Sequence, residues 1–348
     1  MELLVSVATV GMLAWLHLGV VGGLRSASDD AQCLANLQTL TRAWQMYGLE
    51  HELLPPNPDD GNLTPGHNWA GGFAGVGMPH EFNPDILENP ETSLLFPYLG
   101  DAGSAVFRCP ADTRMGTYQG NRPELQGAMV AAARSYAMNL AVGTNPYADP
   151  PRPVDAPWLD NQHAHHYGQK WRTYGTFGDM IAPAPARLVV FLGENAYSLN
   201  DASFSFGMER EEWIDWPATR HGMAGAIAYA DGHAEIRAWQ DDRTVVQNGH
   251  VSRRAVPGSP DYAWLRARIS APIQLEHPLL APPTPVLGLN HLRVAWPASE
   301  AGTYRAEVSA DLQNWQPLAE GLEPERGQIV VEDPDASEAA ARFYRLVR

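Results

Sequence analysis

The residue types best suited to chemistry lie in one stretch of the chain. His221 is followed by nine residues and then by Asp231, Gly232 and His233, with Glu194 and Asp201 upstream. Imidazole with carboxylate suits zinc or a similar ion, and carboxylates with carbonyls suit calcium. The same stretch also reads as a scaffold. Ala224 to Tyr229 is an apolar run of strand length, and Ala234 to Trp239 is a return strand. Asp231-Gly232 between them is a turn signal, because glycine accepts the positive φ of a tight turn. In such a hairpin His221 and Asp231 cross-brace the strands, the aspartate accepting backbone N–H bonds. Bracing is the expectation. No calcium-loop spacing is legible, so no metal ligand is assigned and no cofactor is expected, with calcium or another ion as the alternative.

A second cluster, His163, His165 and His166, lies in a loop flanked by Pro153, Pro157 and Gly168. Short His-rich tracts bind metal, but solvated or aromatic-packed histidines are the expectation here. Trp158, Tyr167, Trp171 and Tyr174 nearby form either a sugar-binding shelf or a staple for a long loop, and the staple is preferred. There is no Gly-x-Ser-x-Gly elbow, no phosphate-cradling glycine loop and no His-Glu-x-x-His. The chain is therefore read as a non-enzyme, with a metal-dependent hydrolase on His221, His233 and Glu194 as the rival.

Two cysteines, Cys33 and Cys109, are too few for a Cys-based zinc ribbon and match no redox dithiol spacing. In an oxidising compartment a bridge between them would close a loop of about 77 residues and add roughly 4 kcal/mol. Two buried free thiols are the alternative.

The elements that position these groups begin with residues 3–24, which carry no formal charge. A helix of that length reaches about 33 Å, enough to cross a hydrocarbon core of about 30 Å. A cleaved secretory signal is disfavoured, since no basic segment precedes the run and the run is long for such a signal. Beyond Arg25, Leu34, Leu37, Thr41, Trp44 and Gly48 form one stripe with Leu40 and Tyr47 beside it, the period of a half-buried helix. Gly48 and Pro55-Pro56 supply stop signals, so one rod over residues 2–50 is expected.

The opening Glu2-Leu3-Leu4-Val5-Ser6-Val7-Ala8-Thr9-Val10-Gly11-Met12-Leu13 resembles the first helix of type IV pilins and type II secretion pseudopilins. That resemblance implies a filament-assembly role for Glu2, neutralising the terminal ammonium of a neighbouring subunit. Only Met1 precedes Glu2, so the chain taken literally lacks a prepilin-peptidase site. His221 with Asp231-Gly232 resembles the His-X9-Asp-Gly signature of prepilin-type processing-associated proteins. Cys33-Leu34-Ala35-Asn36-Leu37, Cys109-Pro110-Ala111-Asp112, Ser135-Tyr136-Ala137-Met138-Asn139 and Gly193-Glu194-Asn195 follow in that family's order. The resemblance implies a structural role for His221, Asp231 and Gly232.

Residues 271–285 are proline-rich and read as a semi-rigid linker. Strand-like segments follow at Leu292 to Trp296, Tyr304 to Ser309, Trp315 to Leu318, Gln328 to Val331 and Phe343 to Val347. They resemble a fibronectin-III-like module. The expected fold class is α+β: a long transmembrane and amphipathic helix (1–50), an antiparallel-sheet head (51–270), the linker, and a small all-β sandwich (286–348).

Composition agrees with a folded chain of about two domains, with 348 residues, 45% hydrophobic and 18% charged. A net charge of -16 repels phosphate backbones, so nucleic acid is excluded as a partner. The expected protein is a pseudopilin-like filament subunit, single-pass in the inner membrane through residues 3–24, its head in the periplasm or outside the cell, with other pilin-type subunits as partners. The rival is an anchored surface binder that does not polymerise and holds a glycan.

Overall fold

The computed structural model describes residues 2–245, 253–273, 284–287, 292–297, 302–310, 314–324, 328–334 and 342–347, with side chains from residue 27 onward except those of 284–287, 292, 293, 295, 297 and 328. The chain divides into two compact units, Met1–Pro272 and Ile273–Arg348.

The first unit opens with helix α1, Glu2–His51, 50 residues without a break and so about 75 Å long. It ends where Glu52 turns to φ 58 and Pro55-Pro56, lacking amide protons, cannot continue the ladder. Among the described residues no helix is long and apolar enough to cross a membrane. The side chains of the expected span, residues 3–24, and of Glu2 lie outside the described residues.

The second half of α1 is sunk into the head. Cys33, Leu37, Leu40, Thr41, Ala43 and Trp44 are all fully buried, the three-and-four spacing of one helix face. The expected stripe forms at Leu37, Thr41, Trp44 and Gly48 with Leu40 beside it, and departs only at its start, where Cys33 faces the core while Leu34 is half-buried. Trp44 meets the Phe177 ring edge-on at 5.4 Å. Gly48 lets that ring and Leu54 approach, since a Cβ there would stand 2.8 Å from Phe177.

The head that receives α1 contains a short helix α2 (Asp85–Glu88), a small hairpin of β1 (Met115–Thr117) and β2 (Met129–Ala131), and a central sheet. The sheet strands are β3 (Tyr136–Asn139), β4 (Val189–Gly193), β5 (Ser203–Phe204), β7 (Ala224–Tyr229) and β8 (Ala234–Ala238), in the order β5-β3-β4-β7-β8. The β6 (Glu212–Trp213) and β9 (Arg254–Ala255) pair and helix α3 (Pro260–Ile269) complete the unit. The sheet is mixed, which corrects the all-antiparallel expectation. Its β3–β4, β4–β7 and β7–β8 ladders are antiparallel, but β5 runs parallel to β3. A parallel neighbour needs a long crossover, and the excursion from Asn139 to Ser203 supplies one. Every residue of β4 and β7 is buried, as expected of central strands covered on both faces. Helix α1 lies against β7, β8 and β4.

The second unit holds β10 (Thr284–Leu287), β11 (Leu292–Pro297), β12 (Tyr304–Ser309), β13 (Gln316–Leu322), β14 (Gln328–Asp333) and β15 (Phe343–Val347). They form two three-stranded antiparallel sheets, β10-β11-β14 and β13-β12-β15, around Val294, Trp296, Tyr304, Ala306, Ile329, Val331 and Leu346. All five expected strands form. Strand β10 occupies the end of the expected linker, while residues 274–283 lie outside the described residues.

Candidate functional site

Three distant segments meet beside the buried face of α1. Cys33 comes from α1 itself. Cys109 sits at the head of the turn Cys109-Pro110-Ala111-Asp112, closed by the Asp112 N–H donating to the Cys109 carbonyl at 2.9 Å. His221 ends the loop before β7, where Gly222 and Met223 both take positive φ and aim its imidazole back toward the helix. The Cys33 Sγ, the Cys109 Sγ and one His221 ring nitrogen all lie within 4.8 Å of one another. Cys109 Sγ is 3.2 Å from His221 Nε2, and the Cys33 Sγ is 3.0 Å from the Tyr136 hydroxyl. On its other side His221 Nδ1 is 2.6 Å from Asp30 Oδ1 of α1. Cys33 is 0%, Cys109 2% and the His221 side chain 2% exposed, so bulky substrate has no access to the sulfurs.

The charges here are coupled. A hydrogen bond from the Cys33 thiol, with His221 and Arg220 adding to it against the cost of burial, pulls Cys109 down to about 5. The same hydrogen bond, with burial, pushes Cys33 far up. Burial would depress His221, but Cys109 and Asp30 outweigh it and raise its pKa. The node thus holds Cys109 toward the thiolate and Cys33 toward the thiol, and draws the His221 imidazole toward its protonated form between Cys109 and Asp30.

One shared carboxylate braces the turn. Asp112 accepts from Arg114 at 2.8 Å and from the Ser135 hydroxyl at 2.6 Å, with Arg220 at 3.5 Å. The Asn36 amide of α1 donates to the Arg108 carbonyl at 2.9 Å.

His221 and Asp231 do not brace each other, which corrects the expectation. They hold opposite ends of one hairpin. Asp231 Oδ1 accepts from the His233 N–H at 3.2 Å and lies 2.6 Å from His233 Nδ1, while His233 stacks on Tyr229 at 4.2 Å. Gly232 turns at φ +100, and the adjoining Ala230 carbonyl accepts from Gln45 of α1 at 2.9 Å. The hairpin therefore clips α1 at Asp30 and at Gln45, roughly 22 Å apart along the helix axis.

The expected disulfide is not formed in this structure: Cys33 and Cys109 are two free, buried thiols brought together. The candidate set His221, His233, Glu194, Asp201 and Asp231 is not assembled either. Among the described residues the group with metal-binding proximity is Cys33, Cys109 and His221. Its signal in the sequence is split, since residue type groups the two cysteines as a pair and places the histidine beside acids.

The other cluster is dispersed. His163 Nε2 is 3.0 Å from Asp59 and packs on Trp158 at 4.7 Å, buried His165 Nδ1 is 2.6 Å from the Asp155 carbonyl, and His166 faces Asp155 at 3.8 Å. Trp171 and Tyr174 are buried and Tyr167 is exposed, so the four aromatics form no shared shelf. The histidines instead edge a cleft of about 310 Å³ with Asp59, Asp60 and Tyr147.

Glu194, Asp201 and Asp215 are buried in the head near the fully buried Arg134, whose guanidinium donates to the Asp201 carbonyl at 2.6 Å. Burial, reinforced by Asp59, raises Asp201 to about 8. A carboxyl raised on folding stabilises the fold below its unfolded value, and that contribution drains away as pH rises from about 4 through about 8. Comparing melting temperatures of the wild type and Asp201→Asn, we expect the wild-type advantage to shrink steadily between these pH values. A difference that is flat, or that grows with pH, rejects the assignment.

Comparison with protein-family models, with curated proteins and with solved structures finds no match.

Proposed function

We propose that the chain is a pseudopilin-like structural subunit of a filament related to type II secretion or type IV pili, held in the inner membrane by residues 3–24, with the head and a fibronectin-III-like C-terminal sandwich in the periplasm or outside the cell. The observation that carries this reading is the division of labour along α1. One unbroken helix of 50 residues offers its second half to the head, where Cys33 to Trp44 are buried and the ends of the His221–Gly232 hairpin clip it. Its first half extends the same rod, with an uncharged run from Leu3 to Leu24 suited to packing in lipid and against copies of itself. Glu2 supplies register by pairing with a neighbouring subunit's terminal ammonium. The deep seating of the hairpin motif favours a scaffold over catalysis, since both sulfurs and the imidazole are enclosed.

The test is cross-linking in membranes of bacteria expressing the full chain with single cysteines introduced along residues 3–24 in a Cys33→Ser, Cys109→Ser background. A ladder of multimers is expected from one helix face, and Glu2→Leu is expected to remove at least nine-tenths of it, roughly the loss of a paired charge worth more than about 1.4 kcal/mol. Monomer from every position rejects the filament and leaves the non-polymerising anchored binder.

A further inference from the structure

We propose that Cys33 Sγ, Cys109 Sγ and His221 Nε2 form a binding site for a thiophilic divalent ion of the zinc class, which bolts α1 to the head. The inference stands apart from filament assembly, since it concerns the head and the second half of α1 alone.

Four observations carry it. First, the donors are already gathered: in a tetrahedral site with Zn–S near 2.3 Å and Zn–N near 2.0 Å, neighbouring donors stand about 3.5–3.8 Å apart. The three atoms lie within 4.8 Å of one another, so closure requires shifts of about 1 Å at most. Second, the imidazole is held as zinc-site histidines are held. His221 Nδ1 faces the Asp30 carboxylate at 2.6 Å, leaving Nε2 aimed at the Cys109 sulfur. Third, the Tyr136 hydroxyl at 3.0 Å from Cys33 Sγ is a donor suited to a ligating thiolate. Fourth, two thiolates balance the charge of a dication, and with the imidazole they leave the fourth tetrahedral position to a water reaching the site past Asp30, whose side chain is 37% exposed.

A disulfide uses the same sulfurs less completely. It would leave the buried His221 imidazole, paired with the partly exposed Asp30, facing a neutral sulfur bridge that offers Nε2 only a weak acceptor. Ion binding uses every group. The Cys33 thiol loses its proton, the proton held between Cys109 and His221 leaves, and the dication takes the place of both. Cys33, Cys109 and His221 come from α1, the turn at 109 and the start of the hairpin, so one ion would tie together segments far apart in the chain.

The full chain, purified under reducing conditions without chelator, is titrated with Zn(II) against a chromophoric competitor, and bound metal is measured by elemental analysis. About one zinc per chain is expected, with Cys33→Ser and Cys109→Ser each weakening affinity more than 100-fold. Asp30→Asn leaves the three ligands in place and the fold intact by near-ultraviolet circular dichroism, and should weaken affinity about 10–100-fold. Co(II) in place of zinc should show sulfur-to-cobalt charge-transfer absorption that the cysteine variants lose. The proposal is overturned if the reduced chain takes up no zinc and protein from cells is lighter by a hydrogen pair, the outcome of a disulfide only. It is equally overturned if zinc binds unchanged in Cys109→Ser or Asp30→Asn.

Discussion

Trp44→Ala is expected to destabilise the first unit by about 3–5 kcal/mol, the usual result of emptying a fully buried indole site. Trp44 is 0% exposed on the α1 face that enters the head, and its ring meets Phe177 edge-on at 5.4 Å. Removing it costs the transfer of the indole out of water and leaves a cavity between α1 and the 177 loop that rigid neighbours cannot collapse to fill. Because α1 joins the head through this stripe and the hairpin clips, the loss should appear as release of residues 27–51. Urea unfolding read by tryptophan fluorescence gives the free energy, and hydrogen exchange along α1 shows where it falls. A loss below about 1 kcal/mol would mean that α1 is not seated through Trp44.

Asp112→Ala should have a comparable effect for a different reason. Asp112 is 3% exposed and shared by Arg114 at 2.8 Å and Arg220 at 3.5 Å, with a Ser135 hydroxyl at 2.6 Å. Removing the carboxylate takes its anion from Arg220 and Arg114, 14% and 15% exposed, leaving Arg114 with Glu81 at 3.1 Å, and breaking a buried pair in this way typically costs about 3–5 kcal/mol. Burial alone would raise the Asp112 carboxyl, but Arg220 first and then Arg114 and Ser135 outweigh it and hold the group well below the usual carboxylate range. A carboxyl depressed on folding contributes its full stability above the unfolded value of about 3.9 and loses it as pH falls below that. The wild type should therefore show a steep acid transition below about pH 4 that Asp112→Ala lacks, and equal acid slopes in the two proteins would contradict the assignment.

The two variants separate apolar seating from polar bracing, and their sites show how much could be read in advance. The extent of α1, the Asp231-Gly232 hairpin and the five C-terminal strands follow from local rules: apolar period, turn chemistry and proline stops. The motifs picked out one by one also proved to be neighbours. Cys33 and Asn36, Cys109 and Asp112, Ser135 and Tyr136, and His221 all contribute to one node. Their sequence order carried no sign of that meeting.

What the amino-acid order determined by itself is which segments become helix, strand and turn, because those choices depend on residues within one or two turns of each other. The tertiary structure alone decided that Cys33 turns inward while Leu34 is left half-buried, the parallel seating of β5, and the pairing of His221 with Asp30 and Cys109 instead of Asp231. These are contacts across 65 to 191 residues, from Met138–Ser203 to Asp30–His221. Such contacts are set by how one packed face fits another, and a rotation of α1 by a single residue, about 100°, would have sent the sulfur elsewhere while leaving every local signal unchanged.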